Sequence, residues 1–346
     1  MRGRADDQSP LFHVFSVEDR IRPDHPLRDI KRRVDRLLAG MSAAFAKAYS
    51  TTGRPSVPPE RLLKALLLMA LYSARSERQL CERIDTDLLF RWFLDMQPGD
   101  DAFDPTTFTH NRKRLDENDL TKTFFAAVVG EALTAGLCSD HFSVDGTLIE
   151  SFAAAKSFRP VEPGDGGSGD GNGFQPRNPD VDFRGQKRTN ATHRSRTDPE
   201  ARLYRKGPGK EAKLAHMGHA LGENRHGLIV AVAVSEASGT AERDAAAEML
   251  DGVAATHGLR PTTLGADKGY DSGEFLLAVE GRRVEPHVPL VGEPAEPAGV
   301  PHLRRRAGVE ARQRMKGRQA TEGYRLSQKC RKKIEKSQAD YPSSRR

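Results

Sequence analysis

One short stretch constrains this chain more than any other. In residues 142–150 (FSVDGTLIE) a single carboxylate, Asp145, stands on an otherwise apolar strand-like run. Phe142 and Val144 alternate with Ser143 and Asp145, the period of two expected of a half-buried strand. Gly146 lets the backbone turn, or lets another group come close to it. Asp-Gly is also turn chemistry, so Asp145 taken by itself reads first as a strand-end cap. What shifts the balance lies downstream.

A second strand-like run, 262–267 (TTLGAD), ends in Asp267 with Leu264 and Ala266 on the opposite face. That places an acid at the carboxyl end of a strand, where open α/β sheets keep their chemistry. A third acid, Glu335, falls in a helical pattern over 324–336, with Leu326, Cys330 and Ile334 expected as its apolar stripe. Arg331, four residues before Glu335, shares its helix face. Three carboxylates from two strands and a helix suit hard cations such as Mg²⁺, which prefer oxygen ligands. A pair of such ions about 3.5–4 Å apart activates a nucleophile and stabilises a leaving oxygen at a phosphodiester.

The chain has 346 residues, enough for two domains and a linker. No run of eighteen apolar residues occurs and the first residues carry no signal-like apolar region, so a cytoplasmic protein without a membrane partner is expected. Cys81, Cys138 and Cys330 are odd in number and far apart, which argues against a disulfide framework or a zinc site. His216, His219 and His226 do not make one either, since positions 216 and 219 of a strand face opposite ways. The net charge is +7, but residues 301–346 hold 15 Lys/Arg against four Asp/Glu. Such a tail is either a phosphate-binding surface or a solvated charge run.

Helical patterns fill the first part of the chain: 26–41, 60–72, a third opened by the capping pair Ser76 and Gln79, 87–96, a basic helix opened by Asp104-Pro105 and closing on Arg112, Lys113 and Arg114, and 120–137. Short helices ending in a basic one suggest a helix-turn-helix-like DNA-binding unit. Residues 159–201 turn rich in Gly, Pro, Asp and Asn and read as a flexible insertion, its basic second half either tracking DNA or serving as a linker. Strands at 213–222 and 228–234 follow as a hairpin, then a helix capped by Thr240, the Asp267 strand, a helix with Asp271 and Ser272 as caps, a strand near 284–291, a basic loop and the Glu335 helix. The order gives an α/β sheet domain at 139–346, with the insertion at 159–201, behind an all-helical domain at 1–138.

The segments SVDGTLIESFAAAKSF, GTAERDAAAEML, LGADKGYDSGEF and GYRLSQKCRKKIE resemble bacterial insertion-sequence transposases of the insertion-sequence-five (IS-five) family. The resemblance runs from near the N-terminus through Glu335 and includes the family's tyrosine, arginine and glutamate signature at Tyr324, Arg331 and Glu335. It implies a ribonuclease-H-like mixed sheet with flanking helices, and a catalytic triad of Asp145, Asp267 and Glu335 that ligates Mg²⁺ or Mn²⁺. It also implies DNA contact through Arg331 and the N-terminal helices, terminal inverted repeats and target DNA as partners, a homo-oligomer on DNA, and a place at the bacterial nucleoid. Past Glu335 the family's helix continues to a lysine seven positions on, where this chain has Pro342. The C-terminus is therefore expected to be truncated after the catalytic glutamate, with an inactive DNA-binding remnant as the alternative function.

Overall fold

The computed structural model describes residues 15–50, 52–53, 56–161, 181–183, 186–205, 209, 211–295 and 303–339, with backbone only at 155, 181–183, 186, 187, 304 and 335–339. The chain divides into two compact units between Val128 and Val129.

In the first unit the described regular elements are helices: α1 Val17–Arg20, α2 Leu27–Gly40, α3 Ser42–Ala48, α4 Pro59–Leu71, α5 Glu77–Thr86, α6 Leu88–Phe93, α7 Pro105–Glu117 and the start of α8, Leu120–Thr134. Their starts follow local chemistry. Ser76 Oγ accepts from the Gln79 amide at 3.1 Å while Gln79 Oε1 accepts from the Arg75 amide at 2.8 Å. Asp87 and Asp104 cap α6 and α7 through the amides of Leu89 (2.8 Å) and Thr106 (2.7 Å), each satisfying a donor that the helix cannot. Leu62, Leu68, Leu80, Ile84, Phe90, Phe93 and Phe108 fill one core. Arg91 is buried in its rim and donates to the carbonyls of Asp85, Gln97 and Asp100 and to the Asp85 carboxylate. No alternation marks such a residue, and only the fold reveals it as a hub.

The second unit is built on a six-stranded mixed sheet. Its strands are β1 His141–Glu150, β6 Arg202–Tyr204, β7 Lys213–Glu223, β8 Ile229–Glu236, β9 Thr263–Gly265 and β10 Glu285–His287; the short pairs β2 Phe158–Pro160 with β5 His193–Ser195, and β3 Val181–Phe183 with β4 Gln186–Arg188, lie outside it. β1 runs antiparallel to β7, which runs antiparallel to β6 and β8; β1 runs parallel to β9, and β9 to β10. Helix α9 (Ala241–His257) links β8 to β9 and α10 (Gly273–Gly281) links β9 to β10, as parallel neighbours require. Then come α11 Leu303–Arg318 and α12 Glu322–Ala339. Among the described residues no helix is long and apolar enough to cross a membrane.

Several expectations are corrected. The region read as a basic loop after 291 contains α11, whose Arg312, Arg314, Lys316 and Arg318 pair with Asp271, Glu280, Glu293 and Glu280. These four of the 15 basic side chains in 301–346 are therefore paired with acids elsewhere in the fold. The insertion at 159–201 is structured in part: β2 and β5 pair, and Phe158 packs with Ala201 and Leu214; residues 162–180 and 184–185 lie outside the described residues. Thr240 makes no side-chain cap; Ser238 Oγ accepts from the Ala241 amide at 3.1 Å instead. Asp271 caps nothing, because its two oxygens take Arg312 side-on at 2.8 Å each and the Val291 amide at 2.7 Å. On α12 the expected stripe holds at Ile334, which is buried, and fails at Leu326, which is 59% exposed while the neighbouring Ser327 is buried in its place. Cys81, Cys138 and Cys330 are all free thiols.

Candidate active site

The two strand aspartates come together through register. Ser143 of β1 lies opposite Gly265 of β9, and the parallel ladder ends there. Asp145 and Asp267 are each two residues further on, at equivalent heights on adjacent strands and, by the period of two, on the same face. Beyond these residues β9 ends while β1 continues to Glu150 beside β7, so Asp145 stands in mid-strand at the point where β1 loses its β9 neighbour and Asp267 stands just past the end of β9.

Helix α12 covers that face. A Cβ on Gly222 would lie 3.0 Å from Ile334 Cδ1, and one on Gly265 would lie 2.7 Å from Ser327 Oγ, so α12 sits almost on the strand backbones. Gln328 Nε2 donates to the carbonyls of Ala266 (3.2 Å) and His287 (2.7 Å), and Lys333 Nζ donates to those of Asn224 (2.9 Å) and Arg225 (2.6 Å). These polar clamps hold the helix at both ends of its contact, and sequence periodicity is blind to them. The docked helix brings Arg331 Nη1 to 4.0 Å from Asp145 Oδ1, with both side chains 15% exposed. Glu335 follows one turn later on the same helix, and its side chain lies outside the described residues.

The backbone after β9 is shaped by Asp267 itself. Its Oδ1 accepts from the Gly269 amide at 2.7 Å and caps a single 3-10 turn, Lys268–Tyr270. The turn drives Tyr270 into the interior, fully buried and 5.3 Å from the Phe275 ring. Burial pushes its phenol well above the ordinary tyrosine range, and the charges of Glu242, Asp145 and Asp267 push it the same way against Arg331. Glu242, in the first turn of α9, reaches this place from the other side of the sheet. It was not singled out from sequence, where a helix-start acid looks like dipole compensation.

Among the described residues no three His, Cys, Asp or Glu side chains converge closely enough to share an ion. The donor chemistry nonetheless fits a hard divalent cation, since the side chains that approach this place, Asp145, Asp267 and Glu242, are all carboxylates. The histidines have other tasks: His216 Nε2 meets Asp198 Oδ2 at 2.9 Å, and His219, buried with its pKa pushed down to about 4, meets Ser235 Oγ at 2.7 Å. A cavity of about 330 Å³ lined by His141, His287, Ser327 and Cys330 lies under the first half of α12 and includes neither aspartate. In the first unit Arg112, Lys113 and Arg114 are all exposed on α7. Arg112 pairs with Glu77 at 2.7 Å, Lys113 with Glu117 at 3.6 Å, and Arg114 lies 5.1 Å from the Tyr49 ring centre.

Residues 15–114 match the family model described as Transposase domain (DUF772), and residues 189–342 match the one described as Transposase DDE domain. No curated protein and no solved structure matches the chain. The chain thus carries two transposase domains, the second of the DDE type, whose matched span includes Asp267, Arg331 and Glu335. Together they support an insertion-sequence transposase, the product of a mobile element.

Proposed function

We propose that the chain cleaves DNA at the ends of an insertion sequence of the IS-five family and joins them to target DNA, with Asp145, Asp267 and Glu335 as the catalytic triad. The carrying observation is the β1–β9 register, which puts Asp145 and Asp267 each two residues past the last pair, Ser143 and Gly265, beside a helix bearing Arg331 and Glu335. Three antiparallel strands followed by two parallel ones joined through helices, in the order β10-β9-β1-β7 with β8 beyond, support a ribonuclease-H-like reading of the sheet.

Bound Mg²⁺ or Mn²⁺ would supply Lewis-acid polarisation of the phosphate and a nucleophilic oxygen at neutral pH. Asp145, Asp267 and Glu335 would hold it. Arg331, 4.0 Å from Asp145 Oδ1, keeps that carboxylate oriented and stands ready to meet a phosphate oxygen. The exposed Arg325, Lys329 and Lys332 share one side of α12 and offer a backbone track beside the site. Arg112, Lys113 and Arg114 would contact the element end through the N-terminal unit, in a homo-oligomer on DNA at the bacterial nucleoid.

Labelled element-end DNA incubated with the full chain and Mg²⁺ tests the reading. Cleaved and joined products are expected from the wild type. Asp145→Asn and Asp267→Asn should lose them by about a thousandfold or more while retaining binding, because each removes charge stabilisation of the transition state worth several kcal/mol. DNA binding without products in the wild type would instead select the non-catalytic remnant, and unchanged cleavage in either variant would refute the triad.

A further inference from the structure

Glu242 is held at the two aspartates by an unusual provision of space. A Cβ on Gly146, the residue after Asp145, would lie 2.7 Å from Glu242 Oε1 and 2.9 Å from its Cγ. A Cβ on Gly269, two residues after Asp267, would lie 2.9 Å from Asp267 Oδ1 and 3.3 Å from Glu242 Oε2. Real side chains do not come as close as the Gly146 spacing, so Gly146 makes room for Glu242, while at Gly269 the forbidden contact is with Asp267 and Glu242 is a tight second neighbour. Gly146 is thus the point where another group approaches the strand, and that group is a carboxylate.

An independent feature marks the same place. The Tyr270 hydroxyl is fully buried and has no hydrogen-bond partner among the described residues, although it lies within the field of Glu242, Asp145 and Asp267. A buried hydroxyl left without a partner is unfavourable, a penalty removed once a carboxylate oxygen turns to accept from it. Arg331 beside Asp145 offsets only part of the like charge that three acids bring to one place, and a divalent cation would offset more of it. Together these features describe a ring of acids that closes on a cation, with a phenolic donor built in behind it.

Resting on the DDE reading above, we infer that Glu242 is a fourth carboxylate of the metal centre. It ligates the divalent cation with Asp145 and Asp267, and the Tyr270 hydroxyl donates to the carboxylate oxygen left over when the acids converge. Glu242 comes from α9, behind the sheet, whereas Glu335 comes from α12 in front of it. The centre would then be gripped from both faces, and part of its affinity would be independent of how α12 is seated.

The test is Mn²⁺ binding by the full-length chain without DNA, followed by electron paramagnetic resonance, with thermal unfolding measured in parallel. Glu242→Gln should weaken Mn²⁺ at least tenfold and leave the metal-free unfolding temperature near that of the wild type. Gly146→Ala, which leaves every carboxylate in place but displaces Glu242, should weaken Mn²⁺ as well and provides the answer if Glu242→Gln does not fold. Tyr270→Phe should weaken it by a smaller factor. If Asp145→Asn and Asp267→Asn lose Mn²⁺ while Glu242→Gln and Gly146→Ala bind it as the wild type does, Glu242 is only a helix-start acid and the inference is overturned. A wild type that binds no Mn²⁺ overturns the DDE reading along with it.

Discussion

Gly273 opens α10 at its crossing with α11, and replacing it with alanine separates two rules that give opposite signs. By helix propensity alone Gly→Ala stabilises by about 0.5–1 kcal/mol. In the fold, however, the new Cβ would lie 2.6 Å from Gly308 Cα and 2.8 Å from both its carbonyl carbon and oxygen. Those are backbone atoms of α11 and have no rotamer through which to yield. The helices must separate, against the Arg314 and Arg318 pairs to Glu280 that fasten them. Overpacking of this kind costs about 1–3 kcal/mol, so Gly273→Ala should be destabilising by roughly 1–2 kcal/mol after the propensity gain. The reverse change, Gly308→Ala, meets Gly273 Cα at 3.2 Å and should cost less. Gly252→Ala, in the middle of α9 with nothing within 4 Å, should stabilise. Urea unfolding followed by circular dichroism ranks the three. A Gly273→Ala protein as stable as Gly252→Ala would refute the close crossing.

Two further outcomes are expected. The fully buried Glu223 carboxylate accepts from the amides of Ser139, Arg225, His226 and Leu228; burial pushes its pKa up, but these backbone donors outweigh that and hold it below the ordinary value. Its stabilisation is therefore present above the unfolded-state pKa and disappears as pH falls through the native one. Glu223→Gln should cost about 1–3 kcal/mol at neutral pH, with a deficit that shrinks in acid; a deficit equal at both pH values would contradict the assignment. Changing Arg112, Lys113 and Arg114 together to Gln should flatten the salt dependence of DNA binding by roughly 0.9 in log–log slope for each side chain that meets a phosphate. An unchanged slope would move the contact to Arg325, Lys329 and Lys332 of α12.

The local elements were legible from residues alone. Alternation marked β1, and caps at Ser76 and Asp104 marked helix starts, because these signals are properties of neighbouring residues; the strand expected over 262–267 is shorter, ending at Gly265 with Asp267 capping the turn that follows. The rest was decided at long range. That Asp145 and Asp267 stand side by side depends on Ser143 meeting Gly265 across the β1–β9 ladder, a register no local period encodes. The docked face of α12 was legible at Ile334 but not at its N-terminal end, where Leu326 is exposed, and Gln328 and Lys333 fasten the helix by donating to carbonyls at the ends of strands far away in sequence. Four of the 15 basic side chains in 301–346 are paired with Asp271, Glu280 and Glu293, acids distant in the sequence that only the fold brings to them. Glu242 was invisible for the same reason: on its own helix it is one acid in a first turn, and only the backbone spaces at Gly146 and Gly269 make it part of the site.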